Sequence, residues 1–144
     1  MRRSRYCKRV DPQGVRGIAD RRLKIFFDGG CRPNPGQIEA AAVLGGVVHR
    51  FSDLGHGTSQ DAEWLALIGA LELAQSLAPR QFVLLGDALQ VVRAANRVLH
   101  TRQAAPGHEA VFLDAAVQGP PSRIRWIKRT QNLAGIALAA RHPR

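Results

Sequence analysis

Three acids in this chain stand where a carboxylate is costly unless something uses it. Asp28 follows the apolar run Leu23-Lys24-Ile25-Phe26-Phe27, and Asp87 follows Gln81-Phe82-Val83-Leu84-Leu85-Gly86. Both runs read as strands, so both acids fall at strand ends. Glu63 shares a helical stripe with Ala66, Ala70 and Ala74. Small residues on one stripe let a helix lie close against a sheet, which puts Glu63 on the packed side. Taken singly, each acid has an ordinary explanation: an Asp after a strand commonly caps a turn or a helix. Together they make a stronger case. If the two strands are parallel neighbours, both Asp side chains emerge at one carboxyl edge, where open α/β sheets place their sites. Glu63 can reach over that edge. Three carboxylates at one spot repel each other and resist desolvation. A divalent cation relieves that cost, and hard oxygen ligands point to Mg²⁺ or Mn²⁺. A carboxylate-held ion pair beside a basic surface suits phosphodiester hydrolysis, one ion activating water and the other stabilising the leaving oxygen.

The elements that must position these acids follow from pattern. Residues 23–27 form a strand that stops at Asp28-Gly29-Gly30, and Cys31-Arg32-Pro33-Asn34-Pro35-Gly36 is loop chemistry. Residues 39–49 read as a second strand in which Gly45-Gly46 suggests a bulge or a place of close packing, and residues 50–57 as a third, antiparallel one. Thr58-x-x-Asp61 is a capping-box variant that opens a helix over about 60–77, stopped by Pro79. On that helix Glu72, Gln75 and Ser76 mark the wet face. The run 81–85 is apolar throughout and reads as a central strand. Helices are expected over about 88–99 and 108–117, a strand over 123–128 and an Ala-rich helix over 132–141. Trp64, Trp126, Phe26, Phe27, Phe82 and Phe112 read as core. The order predicts a mixed α/β sheet: a three-strand antiparallel meander plus two parallel strands, with helices on both faces.

Composition sets the class. The chain has 144 residues, 45 % hydrophobic and 22 % charged, which suits one ordinary globular domain. No apolar run approaches a membrane span. Two cysteines, Cys7 and Cys31, cannot build a disulfide framework, so a reducing cytoplasmic setting is expected, with no membrane partner. The net charge of +10 is unevenly spread. Residues 1–24 carry nine Lys/Arg against two acids, residues 25–122 six against nine, and residues 123–144 six against none. A mildly acidic body between two basic ends fits a polyanionic partner, of which nucleic acid is the commonest. Residues 1–22 lack apolar periodicity and read as a basic flexible arm, leaving residues 23–144 as the folded domain. A monomer is expected.

Four motifs resemble those of one family. Lys24-Ile25-Phe26-Phe27-Asp28-Gly29-Gly30-Cys31-Arg32-Pro33-Asn34-Pro35-Gly36 is similar to the first-strand motif of type 1 ribonuclease H. Thr58-Ser59-Gln60-Asp61-Ala62-Glu63-Trp64-Leu65-Ala66-Leu67 resembles that family's Glu-bearing helix, and Gly86-Asp87-Ala88-Leu89-Gln90-Val91-Val92 its Asp-bearing turn. Trp126-Ile127-Lys128-Arg129-Thr130-Gln131-Asn132 resembles its fifth strand and the following loop. The resemblance implies a ribonuclease H-like fold with a five-stranded mixed sheet. It implies a metal-dependent endonuclease that cuts the RNA strand of RNA–DNA hybrids. Asp28, Glu63 and Asp87 would be catalytic and hold two Mg²⁺ or Mn²⁺ ions. Gly29, Gly30, Cys31, Asn34, Ser59, Gln60 and Arg129 would contact nucleic acid, with groups near Cys31, Asn34, Ser59 and Gln60 lining the minor groove and testing for the 2′-hydroxyl.

The chain departs from that pattern in four places. The family carries a fourth carboxylate early in its last helix. Here the ungapped position is Ile136, a shortened loop would place Gln131 there, and Asn132 is adjacent. Asp114 is the last acid in the chain, so no carboxylate follows it. The loop Arg129-Thr130-Gln131 lacks the His many members carry, and Ser59-Gln60 stands for an Asn-Asn pair. The extra basic helix of some members is missing, and the basic arm with Arg123, Arg125, Lys128 and Arg129 is the candidate phosphate grip in its place. These departures leave a second function open: a weak or inactive ribonuclease H-like module that binds nucleic acid. The three retained acids favour the enzyme, because a binding module gains nothing from a repulsive cluster.

Overall fold

The computed structural model of the protein describes residues 22–142. Residues 1–21 of the proposed arm, with Cys7, therefore lie outside the described residues, and Arg22, placed in the arm by pattern, opens the first strand. Strand β1 runs Arg22–Cys31, β2 Gly36–Leu44, β3 Val47–Phe51 and β4 His56–Gly57. Helix α1 follows at Ser59–Leu77, then β5 Gln81–Gly86, α2 Leu89–Thr101, α3 His108–Ala116 and β6 Arg123–Trp126. A 3₁₀ turn at Arg129–Gln131 leads into α4, Leu133–Ala139.

The sheet order is β3-β2-β1-β5-β6. β1, β2 and β3 pair antiparallel, while β5 is parallel to β1 and β6 parallel to β5. The expected five-stranded path is present, and the two-residue β4 adds a sixth by pairing with β2 at Gly36 and Gln37. The main core lies on one face: Ile25 and Phe27 of β1, Leu84 of β5 and Ile124 of β6 pack with residues of α1, α2 and α3. Ala66, Ala70 and Ala74 are fully buried there, so the small stripe of α1 does lie close to the sheet. α4 packs on β1 and β2. Ala41, Val43, Ala134 and Leu138 are buried outside the main core, which places α4 on the opposite face.

Several boundaries differ from the pattern-based expectation. β1 does not stop at Asp28; it continues to Cys31, because Asp28 to Cys31 stay paired with Ala41 to Ile38 of β2. Cys31 is thus a buried strand residue, not a loop residue. β2 starts at Gly36 instead of residue 39, and β3 occupies 47–51 instead of 50–57. Gly45-Gly46 is no bulge. Both glycines have positive φ, 57° and 77°, and form the tight turn joining β2 to β3. Phe26 points to the outer face and is only half-buried, and Trp126 is 47 % exposed, so neither is core. Gln75 is not simply wetted. Its amide donates to the carbonyls of Ala115 and Gly119 and ties down the end of α3.

The start of α1 is fixed twice. The Thr58 hydroxyl accepts from the Asp61 N–H at 3.1 Å, and Asp61 Oδ2 accepts from the Thr58 N–H at 2.8 Å, a complete capping box. The other Asp61 oxygen meets His108 Nε2 at 2.8 Å, and the His108 ring stacks on Trp64. That docks the start of α3 onto α1.

Candidate active site

The parallel pairing of β1 with β5 ends at Phe26 and Leu85. Beyond that point β1 stays on β2 while β5 ends at Gly86, so a crevice opens at the carboxyl end of the sheet. Asp28 lies two residues past the last pair on β1, and Asp87 two residues past it on β5. Strand alternation turns both side chains to the α4 face. Glu63 enters from α1 as its fifth residue, just past the first turn. Gly29 is the residue that lets it: a Cβ there would overlap the backbone of Ala62. The sequence suggests a turn glycine at this position; the structure requires one for close approach.

These three side chains converge, with one carboxylate oxygen of each within 4.8 Å of the others. Burial, then the nearby charge of Asp87, pushes the Asp28 carboxyl up to about 6. Burial again, then the charges of Asp28 and Asp87, pushes Glu63 up to about 9. Burial and the two neighbouring charges thus favour the protonated form of Glu63, which hydrogen-bonds to Asp28. Its Oε2 is buried with no hydrogen-bond partner. An orphaned carboxylate oxygen facing two other acids matches the donor set of a hard divalent cation.

The Asp87 side chain is 7 % exposed, and Arg129 Nε approaches its Oδ2 at 3.8 Å while remaining 91 % exposed. The indole N–H of Trp126 donates to the Asp87 carbonyl at 3.1 Å. The predicted nucleic-acid residues fall into two groups. Gly29, Gly30, Cys31, Ser59 and Arg129 line one open cleft of about 440 Å³ with the three acids. Asn34 stands behind it: its Oδ1 accepts from the Ser59 N–H at 3.2 Å and from the Cys31 thiol at 3.5 Å. Gln60 is exposed at the start of α1 and is not part of the cleft wall.

Of the three fourth-site candidates, Asn132 is excluded by its bonding. It is fully buried, its Nδ2 donates to the Phe27 carbonyl at 3.0 Å and its Oδ1 accepts from the Ala134 N–H, capping α4. Its one side-chain oxygen is thus spent on the helix cap, and it does not line the cleft. Gln131 is exposed in the 3₁₀ turn and does not line the cleft. Ile136 does line it, with 53 % of its surface exposed. The neighbouring Gly135 backs directly onto Asp28.

Two cleft residues have no signal in the sequence. Glu39 projects from β2 and His142 follows α4, and they meet at 2.7 Å on the cleft wall. They are 103 positions apart, and only the packing of α4 across β1 and β2 joins them.

A family model described as RNase H matches residues 20–130. Among solved structures, RNase H1 from the halophilic archaeon Halobacterium salinarum NRC-1 is 27 % identical, with a TM-score of 0.65 over 82 % of this chain and 94 % of that one. LC11-RNase H1, isolated from compost by a metagenomic approach, is 26 % identical, with a TM-score of 0.64 over 81 % of this chain and 91 % of that one. A further LC11-RNase H1 structure, in complex with an RNA/DNA hybrid, is 23 % identical, with a TM-score of 0.64 over 81 % and 93 % of the two chains, and shares the fold. No curated protein matches the chain. Among the described residues, no helix is long and apolar enough to cross a membrane.

Proposed function

The chain belongs to the ribonuclease H family, and from that premise we propose that it hydrolyses the RNA strand of RNA–DNA hybrids at Asp28, Glu63 and Asp87. The observation that carries this reading is the convergence of three carboxylates with one buried oxygen unpartnered. Asp28, Glu63 and Asp87 would hold the divalent ions, two in number, as Mg²⁺ or Mn²⁺. Bound there, such ions supply Lewis-acid stabilisation of the phosphoryl oxygens and lower the pKa of water.

The chain's own groups do the rest. Asp28 and Asp87 present oxygens from a rigid sheet edge, and Glu63 would add a third oxygen donor from α1. Gly30 leaves the cleft floor open, since a Cβ there would meet nothing within 4 Å. Cys31 and Ser59, held by Asn34, present polar groups to the minor groove, where a 2′-hydroxyl separates RNA from DNA. Gln60 adds a polar side chain at the lip of this groove. Arg129, exposed although its Nε approaches Asp87, can turn its guanidinium to a phosphate there. The hybrid held by LC11-RNase H1, which shares this fold, supports the substrate class.

Ile136 leaves the site one carboxylate short, so we expect weak turnover with Mg²⁺ and faster turnover with Mn²⁺. Purified protein incubated with labelled hybrid, RNA duplex and DNA duplex tests the reading, beside Asp28→Asn. Cleavage of hybrid alone, lost in Asp28→Asn, is the expected result. Salt-dependent binding of hybrid without cleavage under either metal would establish the binding module instead.

A further inference from the structure

α4 covers β1 and β2 on its face of the sheet; beyond it Leu85 of β5 is buried and Val83 half-buried, while Arg123 and Arg125 of β6 are exposed. Strand alternation places Arg22 and Lys24 of β1 on this face, together with Arg123 and Arg125 of β6. Register aligns them. Lys24 and Arg123 both lie opposite Val83, and Phe26 and Arg125 both lie opposite Leu85. Lys24 and Arg123 are thus separated by two strand spacings, about 10 Å. Along each strand the paired cations are about 6.6 Å apart. All four are exposed, and among the described residues none has a carboxylate within ion-pair distance. Asp28 and Asp87 follow two residues beyond the last of these pairs, Phe26–Leu85. A path leaving the acids therefore passes Phe26, Leu85 and Arg125 first, then Lys24, Val83 and Arg123.

We propose that this open face is a phosphate-binding track that grips the flank of the nucleic acid whose scissile segment lies in the cleft. The proposal takes the identity of its ligand, the hybrid, from the function argued above. The four cations form an extended array without an enclosing pocket, which suits a linear polyanion better than a single small ion. Arginine brings a planar fork that matches phosphate oxygens. Six residue steps along β1 separate Asp28 from Arg22, about 20 Å. At about 3.4 Å per base pair, the face meets phosphates roughly six base pairs from the site. The contact is to backbone, so it adds affinity without reading sequence.

Fluorescence anisotropy of the full chain with labelled hybrid in EDTA, where no turnover occurs, tests this across a range of salt concentrations. In Arg123→Gln/Arg125→Gln the slope of log affinity against log salt should become shallower by about 1.8, at about 0.9 per phosphate contact. Arg123→Lys/Arg125→Lys should keep the wild-type slope. Arg93→Gln/Arg102→Gln removes the same charge at α2 and should also leave the slope unchanged. An unaltered slope in the Gln pair at β6, or an equal loss in the α2 pair, overturns the proposal. Parallel cleavage assays keep the two ideas apart. A chain that shows the slope change but never cleaves retains this face and loses the hydrolase reading. One that cleaves with no slope change loses this face alone.

Discussion

Among the described residues, Glu63 occupies the least comfortable position: buried, beside two other acids, with one oxygen unpartnered. Its discomfort is what a cation would relieve. Asp28 touches the same centre and backs onto α4 at Gly135. Asp28→Asn should therefore lower hybrid cleavage by about 10³-fold or more, since a metal contributes several kcal/mol to the transition state and each 1.4 kcal/mol is tenfold. Initial rates on labelled hybrid measure it. Ile136 offers the complementary experiment. Its exposed side chain on the cleft wall can be replaced without opening a core cavity. Ile136→Asp should tighten Mg²⁺ binding by on the order of tenfold, about 1.4 kcal/mol. Calorimetric titration reads it directly, and unchanged affinity would show that this position does not face the ion. Trp126 supplies an optical probe, being exposed beside Asp87 while Trp64 is buried. Hybrid added in EDTA should change its emission, and Trp126→Phe should abolish that change.

At the scale of the element, α4 depends on one side chain. Asn132 caps its first turn and also satisfies the Phe27 carbonyl at the point where β1 carries the site. Asn132→Ala removes a cap, worth about 1 kcal/mol, and leaves a buried carbonyl unpaired at about 1–3 kcal/mol. Urea denaturation should show a loss of roughly 2–4 kcal/mol, with cleavage reduced because α4 flanks Asp28. α1 depends on Gly29 in the same way. Its backbone approaches too closely for a side chain, so Gly29→Ala must push the first turn of α1, and Glu63 with it, away from Asp28. The local capping box would persist, since Thr58 and Asp61 satisfy each other.

Across the whole molecule, the acid cluster couples stability to pH and to metal. Asp28 and Glu63 have folded-state values of about 6 and about 9, above the ordinary carboxylate range. Between about pH 4 and pH 9 the folded chain retains protons that the unfolded chain has released. The stability these groups contribute is thus complete below about pH 4 and declines as pH rises through 6 and then 9. In EDTA the melting temperature should fall over that window. Added Mn²⁺ or Mg²⁺ should restore it, most strongly at the alkaline end, where no proton has to be displaced. A melting temperature that rises from pH 6 to 9 in EDTA would contradict the protonated Glu63.

How much of this was legible in the sequence follows from the range of each interaction. Asp28, Glu63 and Asp87 could be picked out because their signals are local: an apolar run before an Asp, a small-residue stripe at helical spacing, a capping box four residues long. The same locality made the strands, helices and parallel edge readable. Their limits were not, because β1 ends where β2 stops pairing with it, and that depends on a partner strand. The remaining features belong to the tertiary structure alone. Alternation along one strand says which residues share a face, but not which strand lies beside it or in what register. So Trp126 could not be separated from a core tryptophan, nor Asn132 from a loop residue. Glu39 could not be matched with His142, nor Lys24 with Arg123. Each of those relations is made by hydrogen-bond register and packing between segments far apart in the chain, which no local spacing encodes.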